Sequence, residues 1–211
     1  MELLDIFDQE YNYIGTCEKK QAHVEGKWHQ TFNCLFIDST QNKVYFQCKN
    51  SSHNDLSDDN KLDLSVGGHL MAGETIQDGI REIKEESSLD VKYDDLIYLG
   101  YRRINLVINE NYAIREFNHL HIYDSTYELE KLQSTDDEVI YFVEFDIDEL
   151  ISFIRKKESS IIGRTPKGLK TFTIKDFIEG YLEDNIYIKY LLLAKNFINK
   201  EPNLEWNKTL I

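Results

Sequence analysis

Residues 67–89 pass from a glycine-punctuated loop into a run of crowded acids, and no other stretch restricts the fold so tightly. Gly67, Gly68 and Gly73 permit positive φ and let the backbone come close to a ligand. Thr75 is expected to cap a helix, with Asp78 three residues on in the position of a capping box. Ile76, Ile80 and Ile83 recur at i, i+4 and i+7, which predicts a buried stripe. Asp78, Glu82, Glu85 and Glu86 follow similar spacing on another face. Glu82, Glu85 and Glu86 repel one another along such a helix unless something neutralises them. A hard divalent cation does so, because it takes carboxylate oxygens and keeps positions for water and substrate phosphates. The plain alternative is a solvated acidic face on an amphipathic helix.

The order of these residues resembles the Nudix box. That pattern runs Gly, five residues, Glu, seven residues, Arg-Glu, an aliphatic, any residue, Glu-Glu, any residue, Gly, aliphatic. The chain supplies Gly68, Glu74, Arg81, Glu82, Ile83, Glu85, Glu86 and Leu89. Six residues, not seven, separate Glu74 from Arg81, and Ser88 stands where the closing Gly belongs. The shortening precedes the helical acids, so their mutual spacing survives, while Ser is a poorer left-handed residue than Gly at a helix end.

Composition sets the bounds. A chain of 211 residues fits one domain of ordinary size with a smaller appendage. With 41% apolar residues, 13 Tyr and 11 Phe, it can bury a core. No run of about 18 apolar residues predicts a transmembrane helix, and the acidic start does not read as a signal peptide. Cys17, Cys34 and Cys48 lack zinc-type spacing and read as buried reduced thiols. A net charge of −14 argues against nonspecific nucleic-acid binding but leaves room for a phosphorylated small substrate beside a metal. The expectation is a cytoplasmic protein with no nucleic-acid or membrane partner; a homodimer stays open.

Along the chain, strands are expected at residues 2–7, 16–19, 31–37, 43–49, 62–66, 96–105, 112–123 and 139–145. Residues 51–60 read as a polar loop, and 147–157 as an amphipathic helix. Beyond residue 158 the character changes: Gly163 to Gly168 gives a loop signal, followed by helical patterns at 174–182 and 186–198. Arg164, Lys167 and Lys170 in this part read as a solvated basic loop, with an anion-facing role as the alternative. Pattern alone gives mixed α and β structure. The Nudix resemblance implies an α/β/α sandwich with a mixed sheet over 1–157, with 158–211 as a helical C-terminal extension packed on it.

A second resemblance, to the isopentenyl-diphosphate isomerase branch of the superfamily, covers roughly the first 150 residues. It is carried by Ala22-His23, by His29 in Trp28-His-Gln-Thr-Phe32, by Gly67-Gly-His69, by Glu116, and by Asp136-Asp-Glu-Val139. Gly67 stands in the place of the isomerase's catalytic cysteine and cannot move a proton. Ile114 fills one of two acidic positions, and the His23–His29 segment is one residue short. The chain resembles that branch without its chemistry.

The Nudix resemblance therefore implies a Mg2+-dependent hydrolase of a small-molecule diphosphate, with Mn2+ as an alternative ion. It implies metal on Glu82, Glu85 and Glu86, with Glu82, Glu86 and Glu116 as the catalytic acids and Gly67, Gly68 and His69 around the substrate. Glu116 reads as a supporting acid or base, or as a polar residue on a half-exposed strand. Arg81 is expected to pair with Glu74 and tie the loop to the helix. His69 is read as a phosphate donor or a ligand of a second metal, and His23 and His29 as structural. A noncatalytic Nudix binding module and an isomerase remain the alternatives.

Overall fold

In a computed structural model describing residues 2–50, 60–135, 137–156 and 158–208, 11 strands join one mixed sheet. In chain order the elements are β1 (Leu3–Phe7), β2 (Tyr13–Glu18), α1 (Lys19–Glu25), β3 (Trp28–Asp38), β4 (Lys43–Lys49), β5 (Leu62–Asp63), β6 (Val66–His69), α2 (Ile80–Ser87), β7 (Ile97–Asn109), β8 (Tyr112–Asp124), β9 (Val139–Asp146), α3 (Ile147–Lys156), β10 (Ile161–Thr165), β11 (Gly168–Phe172), α4 (Glu179–Glu183) and α5 (Ile186–Ile198). The sheet runs β11-β10-β9-β4-β3-β1-β2, with β5 against β4, β6 and β8 against β3, and β7 against β8. Among these strand pairs only β3–β8 is parallel, and its register sets His29 opposite Glu116 and Thr31 opposite Asn118.

The two-residue period of a strand divides the core. Phe32, Cys34 and Phe36 of β3 and Tyr45 of β4 point to one face and pack with Ile83 of α2. Leu35 and Ile37 of β3, with Val44 and Phe46 of β4, point to the other face. There they meet Leu150 and Phe153 of α3 and Tyr187 and Leu191 of α5. Helices cover both faces, so the fold is the α/β/α sandwich expected. Burying each large apolar side chain contributes roughly 1.5–3 kcal/mol. Two such faces can hold a sheet that also keeps acids out of water near β6, which is costly.

Four readings of the sequence change. Helix α1 was not anticipated, and it carries His23. The predicted loop at Gly163–Gly168 is the end of a hairpin: β10 and β11 pair from Ile161–Phe172 to Thr165–Gly168, and β10 joins β9 where Arg164 faces Glu144. The single helix expected at 174–182 is broken, with a 3-10 turn at Ile174–Asp176, an extended Phe177, then α4. Phe177 is extended because it bridges to Leu62 and its ring fills the core. Cys34 and Cys48 are buried, but Cys17 is only half-buried, and all three are free thiols.

The residues after 158 thus give two strands to the sheet and α5 to the core. The loop expected at 51–60 lies, except for Asn60, outside the described residues, as do Asp136 and Lys157. No helix among the described residues is long and apolar enough to cross a membrane.

Candidate active site

The box begins differently from its sequence reading. Thr75 and Asp78 do form a capping box, but on a 3-10 turn at Ile76–Gly79, and α2 starts at Ile80. A 3-10 turn advances ~2.0 Å per residue against 1.5 Å in an α-helix. It therefore covers the path with fewer residues where this box is one residue short. Asp78 is spent on the cap, so it does not join the acidic face. The expected isoleucine stripe is also reduced: the buried side of α2 is Glu82, Ile83, Glu86 and Ser87. Ser88 takes the left-handed position, φ 61°, and its Oγ donates to the Gln133 carbonyl at 2.7 Å.

Gly67 and Gly68 of β6 lie directly over those acids. A β-carbon on Gly68 would come within 2.2 Å of the Glu82 carboxylate carbon. At Gly67 it would meet the Asn33 amide nitrogen at 1.9 Å. The backbone N–H of Gly67 donates to Glu86 Oε2 at 2.8 Å. Glycine is required here for space, not for positive φ.

Burial pushes the Glu86 carboxyl up to about 8, against the opposing pull of Lys49 and the Gly67 N–H. Glu86 Oε1 is buried without a hydrogen-bond partner. Burial likewise raises Glu82 to about 7, with Arg81 opposing. Arg81 is the hub of the loop. Its Nε donates to Glu74 Oε1 at 3.1 Å, its Nη1 to Glu85 Oε2 at 2.7 Å, and its Nη2 to the His69 carbonyl at 3.2 Å. Nη2 also lies 3.0 Å from Glu82 Oε1. Glu74 Oε2 in turn accepts from the Met71 N–H at 2.7 Å. Repulsion among the acids is thus met partly by Arg81 and partly by protonation.

Beside the acids, α1, β3 and β6 bring His23, His29 and His69 together, with ligand atoms within 4.8 Å of one another. His23 Nδ1 lies 3.2 Å from the Ala113 carbonyl and His29 Nδ1 2.9 Å from that of Lys27. Each Nδ1 must carry the proton to donate there, which leaves both Nε2 atoms as lone-pair donors. His23 Nε2 is 3.2 Å from His69 Nε2, and His29 Nε2 has no hydrogen bond. Burial keeps all three rings neutral, lowering His29 to about 4, and His23 and His69 in the same direction. Glu116 Oε1 approaches His29 Nε2 to 3.8 Å, and its Oε2 accepts from Thr31 Oγ1 at 2.9 Å. Thr31 is itself held by Asn118 Nδ2 at 2.7 Å, so the β3–β8 register positions Glu116. Burial raises the Glu116 carboxyl, with Thr31 opposing.

Gly67, Gly68, His69, Glu82, Glu85 and Glu116 line one cavity of about 320 Å3. Sequence reasoning missed Thr31, Asn33 and Asn118, which look like ordinary alternating residues until the parallel pairing is known. It also missed Lys49, Asp63 and Tyr181, which line the same cavity from β4, β5 and α4. Arg164, Lys167 and Lys170 do not line it; Arg164 pairs with Glu144 at 2.7 Å and with Glu130 at 3.1 Å.

No family model matches the chain. It is 34% identical over 186 residues to an uncharacterized Nudix hydrolase of Clostridium acetobutylicum, covering 84% of this chain and 90% of that protein. The chain belongs to the Nudix hydrolase family. An uncharacterized Nudix hydrolase of Nostoc is 28% identical over 102 residues, 48% of this chain and 59% of its own. The fold is shared with a solved structure from Deinococcus radiodurans: TM-score 0.53 and 17% identity, over 74% of this chain and 90% of that one.

Nudix hydrolases imply a divalent ion, and two donor sets here fit one. Glu86, with its unpartnered buried Oε1, and the neighbouring Glu82 and Glu85 offer hard oxygens suited to Mg2+ or Mn2+. The three neutral imidazoles with Glu116 offer a nitrogen-rich set suited to a softer ion.

Proposed function

We propose that this Nudix protein hydrolyses a diphosphate linkage in a small-molecule substrate, with Mg2+ as its ion and Mn2+ as the alternative. The observation that carries the reading is Glu86 with Glu82, buried and raised towards neutrality beside the side-chain-free backbone of Gly67 and Gly68. Carboxyls in this condition release protons readily when a cation arrives. Glu82, Glu85 and Glu86 would hold the ion, which when bound neutralises phosphate oxygens and lowers the pKa of water.

The chain's own groups do the rest. Gly67 and Gly68 let the substrate approach the carboxylates without steric block. His69 lines the cavity beside them, its ring held against His23. Glu116, fixed through Thr31, orients the attacking water and takes its proton at Oε1. Water oxygen bonds to one phosphorus, the bridging P–O bond breaks, and the bridging oxygen leaves with the other phosphate. Arg81 keeps Glu74, Glu82 and Glu85 in one arrangement, which is a positioning role. The test is a Mg2+-dependent screen of nucleoside, sugar-nucleotide, isoprenoid and thiamine-type diphosphates. Turnover of none of them, with either ion, would overturn the reading.

The histidine cluster favours a second reading, an isomerase-like member of the family. Its ring nitrogens lie within 4.8 Å of one another, and His29 Nε2, unpartnered beside Glu116, suits an auxiliary ion. Gly67 and Ile114 oppose it, because neither can carry a proton. Isopentenyl diphosphate with Mg2+ separates the two: hydrolysis releases phosphate, whereas isomerisation gives dimethylallyl diphosphate and no phosphate.

A further inference from the structure

Besides the glutamates and His69, the cavity is lined by Lys49, Asp63 and Tyr181. Diphosphates need donors as well as a cation, and most donors here are already committed. Arg81 is spent on Glu74, Glu82, Glu85 and the His69 carbonyl. Lys19 pairs with Glu2 at 2.9 Å. Lys49 pairs with Asp63 at 3.4 Å and is also drawn electrostatically by Glu86, Tyr181 and Glu138, so its ammonium lies near both Tyr181 and the acids.

Among the described residues, Tyr181 is the one cavity residue contributed from beyond residue 158. The Arg102 guanidinium sits over its ring, 5.0 Å from the centroid, and the Tyr187 ring lies 5.4 Å away. Tyr187 is anchored by its hydroxyl, which donates to the Leu62 carbonyl at 2.6 Å and accepts from the Ile178 N–H at 3.2 Å. Tyr181 is thus clamped, and Arg102 takes a face that a nucleobase would otherwise stack on. Its hydroxyl makes no hydrogen bond with any described residue.

We propose that Tyr181 and Lys49 form a phosphate subsite beside the carboxylates, so that the C-terminal segment completes the active site. The proposal rests on the hydrolase reading and deepens it. One phosphate of the substrate would face the ion that Glu82, Glu85 and Glu86 would hold, and the other would accept from Tyr181 Oη and Lys49 Nζ. The clamped ring predicts discrimination by phosphate, not by base.

The test is binding of imidodiphosphate, a diphosphate that is not hydrolysed, to the full chain with Mg2+ by calorimetry. Tyr181→Phe keeps the ring and its clamp but removes the donor, and should weaken binding about threefold to tenfold with an unchanged melting temperature. Lys49→Met should weaken it tenfold or more. Equal binding by the parent and both variants would overturn the subsite, as would no binding by the parent. Loss of affinity in the variants of a parent that hydrolyses no diphosphate would uphold the subsite while the hydrolase reading fell.

Discussion

The backbone N–H of Gly67 donates to Glu86 Oε2 across 2.8 Å, coupling the glycine strand to the most buried acid of α2. This hydrogen bond favours the ionised carboxylate, but burial outweighs it and leaves the group near neutrality. Glu86→Gln should keep the fold, because an amide oxygen still accepts from Gly67. It should remove Mg2+-dependent hydrolysis, lowering kcat by at least about a hundredfold. Without metal the variant should melt slightly higher, since a group that resists burial as an anion is gone. Unchanged turnover would remove Glu86 from the metal site.

The same burial fixes a pH dependence for the metal-free protein. The native Glu86 carboxyl titrates at about 8 and Glu82 at about 7, both above the ordinary 4.5. The native state therefore holds protons that the unfolded chain releases, and stability is lost as pH rises from 4.5 through 8. His29, lowered from 6.5 to about 4, acts oppositely below 6.5, so the clean window lies above that. With a chelator present, the melting temperature should fall from pH 6.5 to about pH 9, and the fall should be shallower in Glu86→Gln. A parent whose melting temperature rises over this range would contradict the buried, protonated carboxyls.

Arg81 lies among Glu74, Glu82 and Glu85. Arg81→Ala would leave three carboxylates facing one another, and a partly exposed hub of this kind should cost roughly 1–3 kcal/mol. Activity should fall with it. Glu85→Gln, at a more exposed end of the network, should lower activity with little change in melting temperature. An Arg81→Ala protein that melts like its parent but loses substrate affinity would make Arg81 a substrate contact instead.

The sequence made the acidic helix legible because its spacing is local: one helix face is set by residues three and four apart. Strand positions were legible for the same reason, through alternation and turn residues. What stayed hidden depends on distant partners. Thr31 and Asn118 become a support for Glu116 only once β3 and β8 pair in parallel. His23 sits on α1, a short helix without a strong apolar pattern, and no sequence signal joins Tyr181 to a cavity lined otherwise by residues from Glu2 to Glu138. Phe177 broke a helix that its neighbours favoured because its ring reaches the core.

Gly67→Cys should not confer isomerase activity. An isomerase has to hold an allylic, carbocation-like fragment between an acid and a base positioned to within about half an ångström. The first obstacle is space: the β-carbon at 67 would fall 1.9 Å from Asn33 Nδ2. Asn33 Nδ2 is bonded to the Val66 carbonyl, and Asn33 Oδ1 accepts from Asn118 Nδ2, which also holds Thr31 and through it Glu116. Moving Asn33 to admit the thiol therefore disturbs the support of the remaining carboxylate. The second obstacle is chemistry, since Ile114 supplies no second acid, and groups that act as a unit are strongly non-additive. The measurement is deuterium exchange into isopentenyl diphosphate in heavy water with Mg2+, followed by NMR. No exchange is expected in the parent or the variant. Exchange at the allylic carbon in either would mean that Glu116 and the histidines suffice for a proton relay, and that the missing thiol was never the deciding loss.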